Sequence, residues 1–172
     1  MIKNIFITGK SSCGNTSLIM EIIKELNFDA GGFFTLEIRE GGIRKGFKII
    51  TLDGREGILA HINIKSSHRV SKYKVNIRDL EELGVKSILN ALKENKICVI
   101  DEIGTMEMYS ENFKKAVIAA LDSKNKVLGT IKLTPSPFAD EIKKREDTKV
   151  FYLAKENREE IKKEIIKLLE AK

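Results

Sequence analysis

Two stretches of this sequence carry residues whose types and spacing can handle a phosphate. The run Gly9-Lys10-Ser11-Ser12-Cys13-Gly14-Asn15-Thr16 has the G-x-x-x-x-G spacing of a phosphate-binding loop, followed two residues later by a hydroxyl. In such a loop the glycines let backbone N–H groups close around the anion, and the hydroxyl, here Thr16, is placed to ligate Mg²⁺. Asn15 stands where that pattern has lysine. An amide supplies no cation to the β- and γ-phosphates. Losing a charge-assisted hydrogen bond of about 1.5–3 kcal/mol weakens binding roughly 10- to 100-fold. By analogy with removal of an oxyanion donor, it slows chemistry by about 10²–10³.

The second stretch is Asp101-Glu102, which follows the apolar run Ile97-Cys98-Val99-Ile100. An Asp at the end of such a strand can hold Mg²⁺ through water, and the next Glu can polarise an attacking water as general base. A surface turn with two solvated acids is the alternative. Neither stretch is specific alone. At the average glycine frequency of about 7%, two glycines five residues apart occur about once in a chain of this length.

What raises the loop above chance is its setting. Ile5-Phe6-Ile7 is a short apolar strand run just before the loop, and Leu18, Ile19, Ile22, Ile23 and Leu26 mark a helix just after it. That arrangement points N–H groups and the positive helix end at one spot. Between residues 30 and 60 the pattern changes. Gly31-Gly32, Gly41-Gly42 and Asp53-Gly54 punctuate alternating segments at Phe33 to Ile38 and Phe47 to Leu52, which predicts antiparallel hairpins inserted after the first helix. A helical region follows at about 77 to 94, and a helix marked by Phe113, Val117, Ile118 and Leu121. Val127 to Ile131 and Val150 to Leu153 read as strands, and Ile161, Ile165, Leu168 and Leu169 mark a closing helix. Strands alternating with helices predict an α/β fold, a mostly parallel sheet flanked by helices. One domain over residues 1–172 is expected.

Composition narrows the class. The chain has 172 residues, 42% hydrophobic and 33% charged, as in ordinary globular proteins. No apolar run approaches the roughly 18 residues of a membrane span. The N-terminus enters a strand run without a signal-peptide h-region, so a cytoplasmic location is expected. Cys13 and Cys98 predict no disulfide in that compartment, and His61 and His68 lack metal-ligand spacing. The net charge of +6 is dispersed, with short groups at Lys143-Lys144-Arg145 and Lys162-Lys163. A diffuse excess suits a polyphosphate ligand; without an aromatic-basic platform it argues against a nucleic-acid partner.

The segment Val99-Ile100-Asp101-Glu102-Ile103-Gly104-Thr105-Met106-Glu107-Met108 resembles the run V-I-D-E-I-G-K-M-E-L of the small single-domain P-loop nucleoside-triphosphatases, the thermophile-type and cancer-related enzymes. Gly32-Phe33-Phe34-Thr35 with Glu37-Ile38-Arg39 is similar to their G-F-Y-T-E-E-V-R. Arg69-Val70-Ser71-Lys72-Tyr73-Lys74-Val75-Asn76 is similar to R-V-G-K-Y-G-V-N. Gly46-Phe47, Thr51-Leu52-Asp53-Gly54, Gly129-Thr130-Ile131 and Glu156-Asn157-Arg158 match further runs in order, so the resemblance covers nearly the whole chain.

The resemblance implies a RecA-like fold and Mg²⁺-dependent hydrolysis of nucleoside triphosphates, ATP and GTP among them, by a monomer or weak dimer. Carried over, Gly9 to Thr16 bind phosphates and Ser17 flanks the metal ligand Thr16. Asp101 positions Mg²⁺ and Glu102 activates water. Arg69 and Lys72 are candidates for a charge near the γ-phosphate, Lys72 equally a solvated loop residue. Asn157 is expected to cap the last helix rather than touch a base. The chain departs from the family at Asn15, at Thr105 in place of the lysine of I-G-K-M-E, and at Ser71 and Lys74 in place of two glycines. Lys10 is a catalytic candidate as a stand-in for the lost lysine. Its place resembles the signature lysine of the deviant Walker-A ATPases, which keep the second lysine too; a general electrostatic effect is the alternative. Three readings stay open: hydrolysis, nucleotide binding or sensing without hydrolysis, and phosphoryl transfer to a nucleoside or nucleotide, the last without an evident Arg-rich lid.

Overall fold

The computed structural model describes residues 1–10 and 14–171. Its centre is a parallel ladder. Strand β1, Asn4–Thr8, is buried throughout and lies between two strands from the second half of the chain. These are β8, Val127–Ile131, and β9, Thr148–Tyr152. Beyond β8 comes β7, Ile97–Ile103, and then β2, Ala30–Glu40, still parallel. Runs with apolar residues on both faces are what a sheet covered on both sides requires.

At β2 the sheet changes character. β3, Ile43–Thr51, and β4, Glu56–His61, add on as antiparallel strands, followed by the short pair β5, Arg69–Val70, and β6, Tyr73–Val75. One nine-stranded sheet results, in the order β5-β6-β4-β3-β2-β7-β8-β1-β9. The hairpin region expected over 30–60 is therefore an extension of the central sheet. Its first strand belongs to the parallel ladder, and it continues to Val75. Gly32 makes that junction workable. Its φ is +103°, and a Cβ there would meet the Val99 carbonyl oxygen of β7 at 2.1 Å.

Helices cover both faces. On one side α1, Asn15–Glu25, and α6, Arg158–Glu170, bury Leu18, Ile19, Ile22, Ile161 and Ile165 against Ile5, Ile7, Val99 and Leu128. On the other lie α3, Lys86–Lys93, and α4, Glu111–Asp122, with Ile88, Phe113, Val117 and Leu121 packed on Phe6, Phe33 and Ile100. The region predicted helical at 77–94 begins as the single turn α2, Ile77–Asp79, and passes through a π-helical turn, Leu80–Val85, before α3. Ile118, expected on the core face of α4, is 37% exposed. A short helix not foreseen, α5, Pro137–Lys143, is capped by Ser136, whose hydroxyl accepts from Ala139 N, with Pro137 entering its first turn. No helix among the described residues is long and apolar enough to cross a membrane.

Candidate active site

The parallel strands run so that β1, β7 and β8 end at the same edge, where ligands of open α/β sheets sit. A cleft of about 560 Å³ opens there, lined by Gly9, Lys10, Gly14–Ser17, Thr35, Asp101, Glu102, Thr130 and Lys132 among others. A groove of about 510 Å³ at the opposite strand ends, around Phe28, Asn95 and Lys126, holds none of the candidate site residues.

The loop leaves β1 and turns into α1 through Gly14, whose φ of +78° lies in the left-handed region glycine enters without strain. Gly14 caps the helix without a side-chain hydrogen bond, and no acidic residue sits in the first turn. The first N–H groups of α1 and its dipole are thus available to an anion. Ser11, Ser12 and Cys13, predicted to line the phosphate, lie outside the described residues. Lys10 is exposed at the cleft rim.

Asp101 is the hub. It is 1% exposed and held from two neighbouring strands and the helix. Thr130 Oγ1 on β8 donates to its Oδ1 at 2.5 Å, Thr16 Oγ1 on α1 donates to Oδ2 at 2.8 Å, and the Thr35 N–H of β2 donates to Oδ2 at 3.3 Å. Burial raises the Asp101 carboxyl above its ordinary value, against the opposing pull of the Thr130, Thr16 and Thr35 hydrogen bonds. Asp101 and Glu102 were expected to follow the strand; both lie inside β7. The ladder to β8 steps from Ile100↔Gly129 to Ile103↔Ile131, so three steps on β7 oppose two on β8. This bulge turns Asp101 inward and leaves Glu102 open to the cleft, an arrangement common beside functional sites. Although Glu102 reaches solvent, the protein crowded around its carboxyl and the charge of Asp101 push it up to about 7, while Lys132 pulls it down.

A protein-family model described as NTPase matches residues 4–166. The chain belongs to the NTPase family. Among its NTPase relatives, the nucleoside-triphosphatase THEP1 of Thermotoga maritima is 47% identical over 165 residues, covering 96% of this chain and 94% of the relative. The human cancer-related nucleoside-triphosphatase is 36% identical and covers 96% of each chain. The crystal structure of THEP1 from Aquifex aeolicus superposes with a TM-score of 0.89 at 34% identity, over 98% of this chain and 99% of that one.

In this NTPase the sequence-predicted residues divide. Gly9, Lys10, Gly14, Asn15, Thr16, Ser17, Asp101 and Glu102 all border the cleft. Arg69 and Lys72 do not; from their hairpin it is Val70 that lines it. The Arg69 carbonyl instead accepts from Tyr109 Oη at 3.0 Å, and the Lys72 ammonium sits 5.7 Å from the Tyr73 ring centroid. Ser71 between them holds φ +57°, a conformation glycine adopts at less cost. Asn157 precedes α6 as expected, but its side chain reaches backward: Oδ1 accepts from Ala154 N at 2.8 Å and Nδ2 donates to Tyr152 O at 2.9 Å.

Other residues of the site had been given no role: Thr35, Thr130 and Glu107 appeared only within the family-like runs, and Arg44 and Lys132 not at all. Arg158 appeared only within the run Glu156-Asn157-Arg158. Its guanidinium donates to Gly14 O and Ser17 Oγ, each at 3.3 Å, and pairs with Glu21, strapping α6 onto the loop.

Glu107 lies in a 3₁₀ turn, Met106–Tyr109, and is 2% exposed. Its Oε1 accepts from Gly104 N at 3.2 Å. Burial, and after it the Glu102 charge, push its carboxyl well above the usual range, which favours its protonated form in the fold. In the unfolded chain it ionises near 4.5. A raised carboxyl therefore costs stability as pH rises past the unfolded value. Glu107→Gln keeps the acceptor for Gly104 and removes that loss. Its Tm is expected to match the parent near pH 4.5 and to exceed it by a margin that widens as pH rises toward 7.5. Scanning calorimetry at both pH values checks this; a gap independent of pH would refute the protonated assignment.

Proposed function

We propose that this protein hydrolyses nucleoside triphosphates, ATP and GTP included, to the diphosphate and inorganic phosphate with Mg²⁺. The observation that carries the reading is Asp101, held by Thr16 of the phosphate loop and Thr130 while Glu102 beside it opens into the same cleft. The donor set fits the metal. One carboxylate and one hydroxyl, 2.8 Å apart, present the hard oxygens that Mg²⁺ takes alongside phosphate oxygens and water. Thr16 and Asp101 would hold the ion, and when bound it would neutralise charge on the β- and γ-phosphates.

The chain's own groups divide the remaining work. The loop backbone and the α1 N-terminus orient the triphosphate. Glu102 takes a proton from a water lying in line with the γ-phosphorus. The water oxygen bonds to that phosphorus as its bond to the β–γ bridging oxygen breaks. The diphosphate leaves with the electron pair of that bond, and Glu102 later returns its proton to solvent. Phosphate release from ATP and from GTP, with and without Mg²⁺, tests the reading. Metal-dependent turnover supports it, and release no faster than the buffer blank would overturn it.

One observation favours a second reading, nucleotide binding without useful hydrolysis. Asn15 Oδ1 is buried without a hydrogen-bond donor among the described residues, where a P-loop has its lysine. Calorimetric ATP binding with no phosphate release would select it.

A further inference from the structure

Three cationic side chains among the described residues line the cleft: Lys10, Arg44 and Lys132. Arg44 is committed to its own neighbours. Its Nε donates to Tyr73 Oη at 2.8 Å, and its guanidinium lies 5.0 Å and 5.3 Å from the Phe47 and Tyr73 ring centroids. Lys10 makes no hydrogen bond or ion pair with any other described residue. Lys132 is different in kind, because both its backbone and its ammonium are placed.

Lys132 directly follows β8. Its N–H donates to Ile103 O at 3.0 Å, which continues the ladder beyond the bulge, and its carbonyl accepts from Lys143 Nζ at 2.9 Å. Thr130, two residues earlier, holds Asp101. Side chains two apart on a strand leave on the same side, so the strand that fixes Asp101 also delivers a lysine to the same cleft. The Lys132 ammonium donates to Thr105 Oγ1 at 3.1 Å and acts electrostatically on Glu102. It forms no salt bridge to a carboxylate among the described residues, so its charge is not neutralised by a close partner. A lysine side chain is long and rotatable, and a single neutral hydroxyl is a weak tether. Thr105 is also the position at which the family run quoted above has its lysine. The ammonium absent from residue 105 is thus present beside it, delivered by a residue 27 positions later.

We propose that Lys132 is a catalytic cation, held on Thr105 Oγ1 in the free protein and meeting the γ-phosphate oxygens on the Glu102 side when a nucleoside triphosphate binds. The inference rests on the nucleotide reading above. Charge spreads over the equatorial oxygens of the transferring phosphoryl, and an ammonium fixed there lowers the barrier without exchanging a proton. A diphosphate, lacking the γ-group, gains nothing from Lys132.

The experiment compares the parent, Lys132→Met, and Lys132→Met combined with Thr105→Lys, which returns an ammonium from the adjacent backbone position. Phosphate release gives kcat. Calorimetry with ADP and with a non-hydrolysable ATP analogue gives the preference for a γ-phosphate. Lys132→Met is expected to lower kcat about 10- to 100-fold. It should leave ADP affinity unchanged and cut the analogue-over-ADP preference about 10-fold, with an unaltered melting temperature. The double variant should recover most of both losses. An unchanged preference in Lys132→Met overturns the proposal. So does a loss that the well-folded double variant does not recover, because a positional role would not be met by a lysine at residue 105. If the parent binds nucleotide without turnover, hydrolysis fails as a reading, and Lys132 stands or falls on the analogue-over-ADP ratio alone.

Discussion

Replacing Glu102 with glutamine is expected to lower kcat about 10³-fold while leaving ATP affinity within about fivefold. The change keeps the side chain's size and one acceptor oxygen, so the bulge between Ile100 and Ile103 has no steric reason to collapse. The Glu102 carboxyl makes no hydrogen bond to another described residue and faces the cleft unspent. What glutamine removes is the capacity to take a proton. Positioned general bases contribute about 10²–10⁴ to rate. The protein crowded around it and the neighbouring Asp101 charge hold this carboxyl at about 7, which matches the strength of a base working at neutral pH. A water-activating role therefore predicts loss in kcat with little change in binding. Phosphate release and calorimetric ATP titration of the same preparation separate the two. A kcat within tenfold of the parent would move the base away from Glu102.

Local signals and nonlocal ones differed in how far they could be read. The Gly9 and Gly14 spacing, the Ile5-Phe6-Ile7 run and the apolar stripe of α1 are all contained within about 20 residues, and the strand and the helix form where those residues predict them. Asp101-Glu102 was visible for the same reason. Its support was not. Thr35 and Thr130 reach Asp101 only because β2 and β8 flank β7, and parallel neighbours far apart in sequence leave no periodic mark. The bulge that separates an inward Asp101 from an open Glu102 depends on pairing with β8, so the run Ile97 to Ile100 looked like the whole strand. Arg158 and Lys132 belong to the same class. Each looks like one more charged residue at an element end until α6 and β8 bring it to the loop and to Thr105. Arg69 and Lys72 show the opposite case. Their type suited a phosphate, but β5 and β6 form an edge hairpin that turns Val70 to the cleft.

Asn15→Lys is expected to raise kcat about 10²-fold and to tighten ATP binding about 10-fold or more. Position 15 is the first residue of α1, directly after the left-handed Gly14, and it borders the cleft. Asn15 Nδ2 faces the Gly9 carbonyl at 3.5 Å, a contact too long for a strong hydrogen bond. That contact fixes the amide orientation, since turning it over would set two acceptor oxygens against each other. Oδ1 is then left buried with no donor among the described residues. An unpaired acceptor at this point carries a desolvation cost of about 1–3 kcal/mol and repels phosphate oxygens, which are acceptors themselves. Lysine removes that acceptor and adds an ammonium worth about 1.5–3 kcal/mol in a charge-assisted bond. The loss at residue 105 has a nearby substitute in Lys132, whereas no described side chain donates to Asn15 Oδ1. The gain should therefore be additive with an intact Lys132 rather than redundant with it. Lys10 provides the contrary outcome. If its exposed ammonium already reaches the β- and γ-phosphates, Asn15→Lys changes kcat by less than threefold and Lys10→Ala abolishes turnover. Steady-state kinetics on the two variants distinguishes a loop that works without its lysine from one that has moved it.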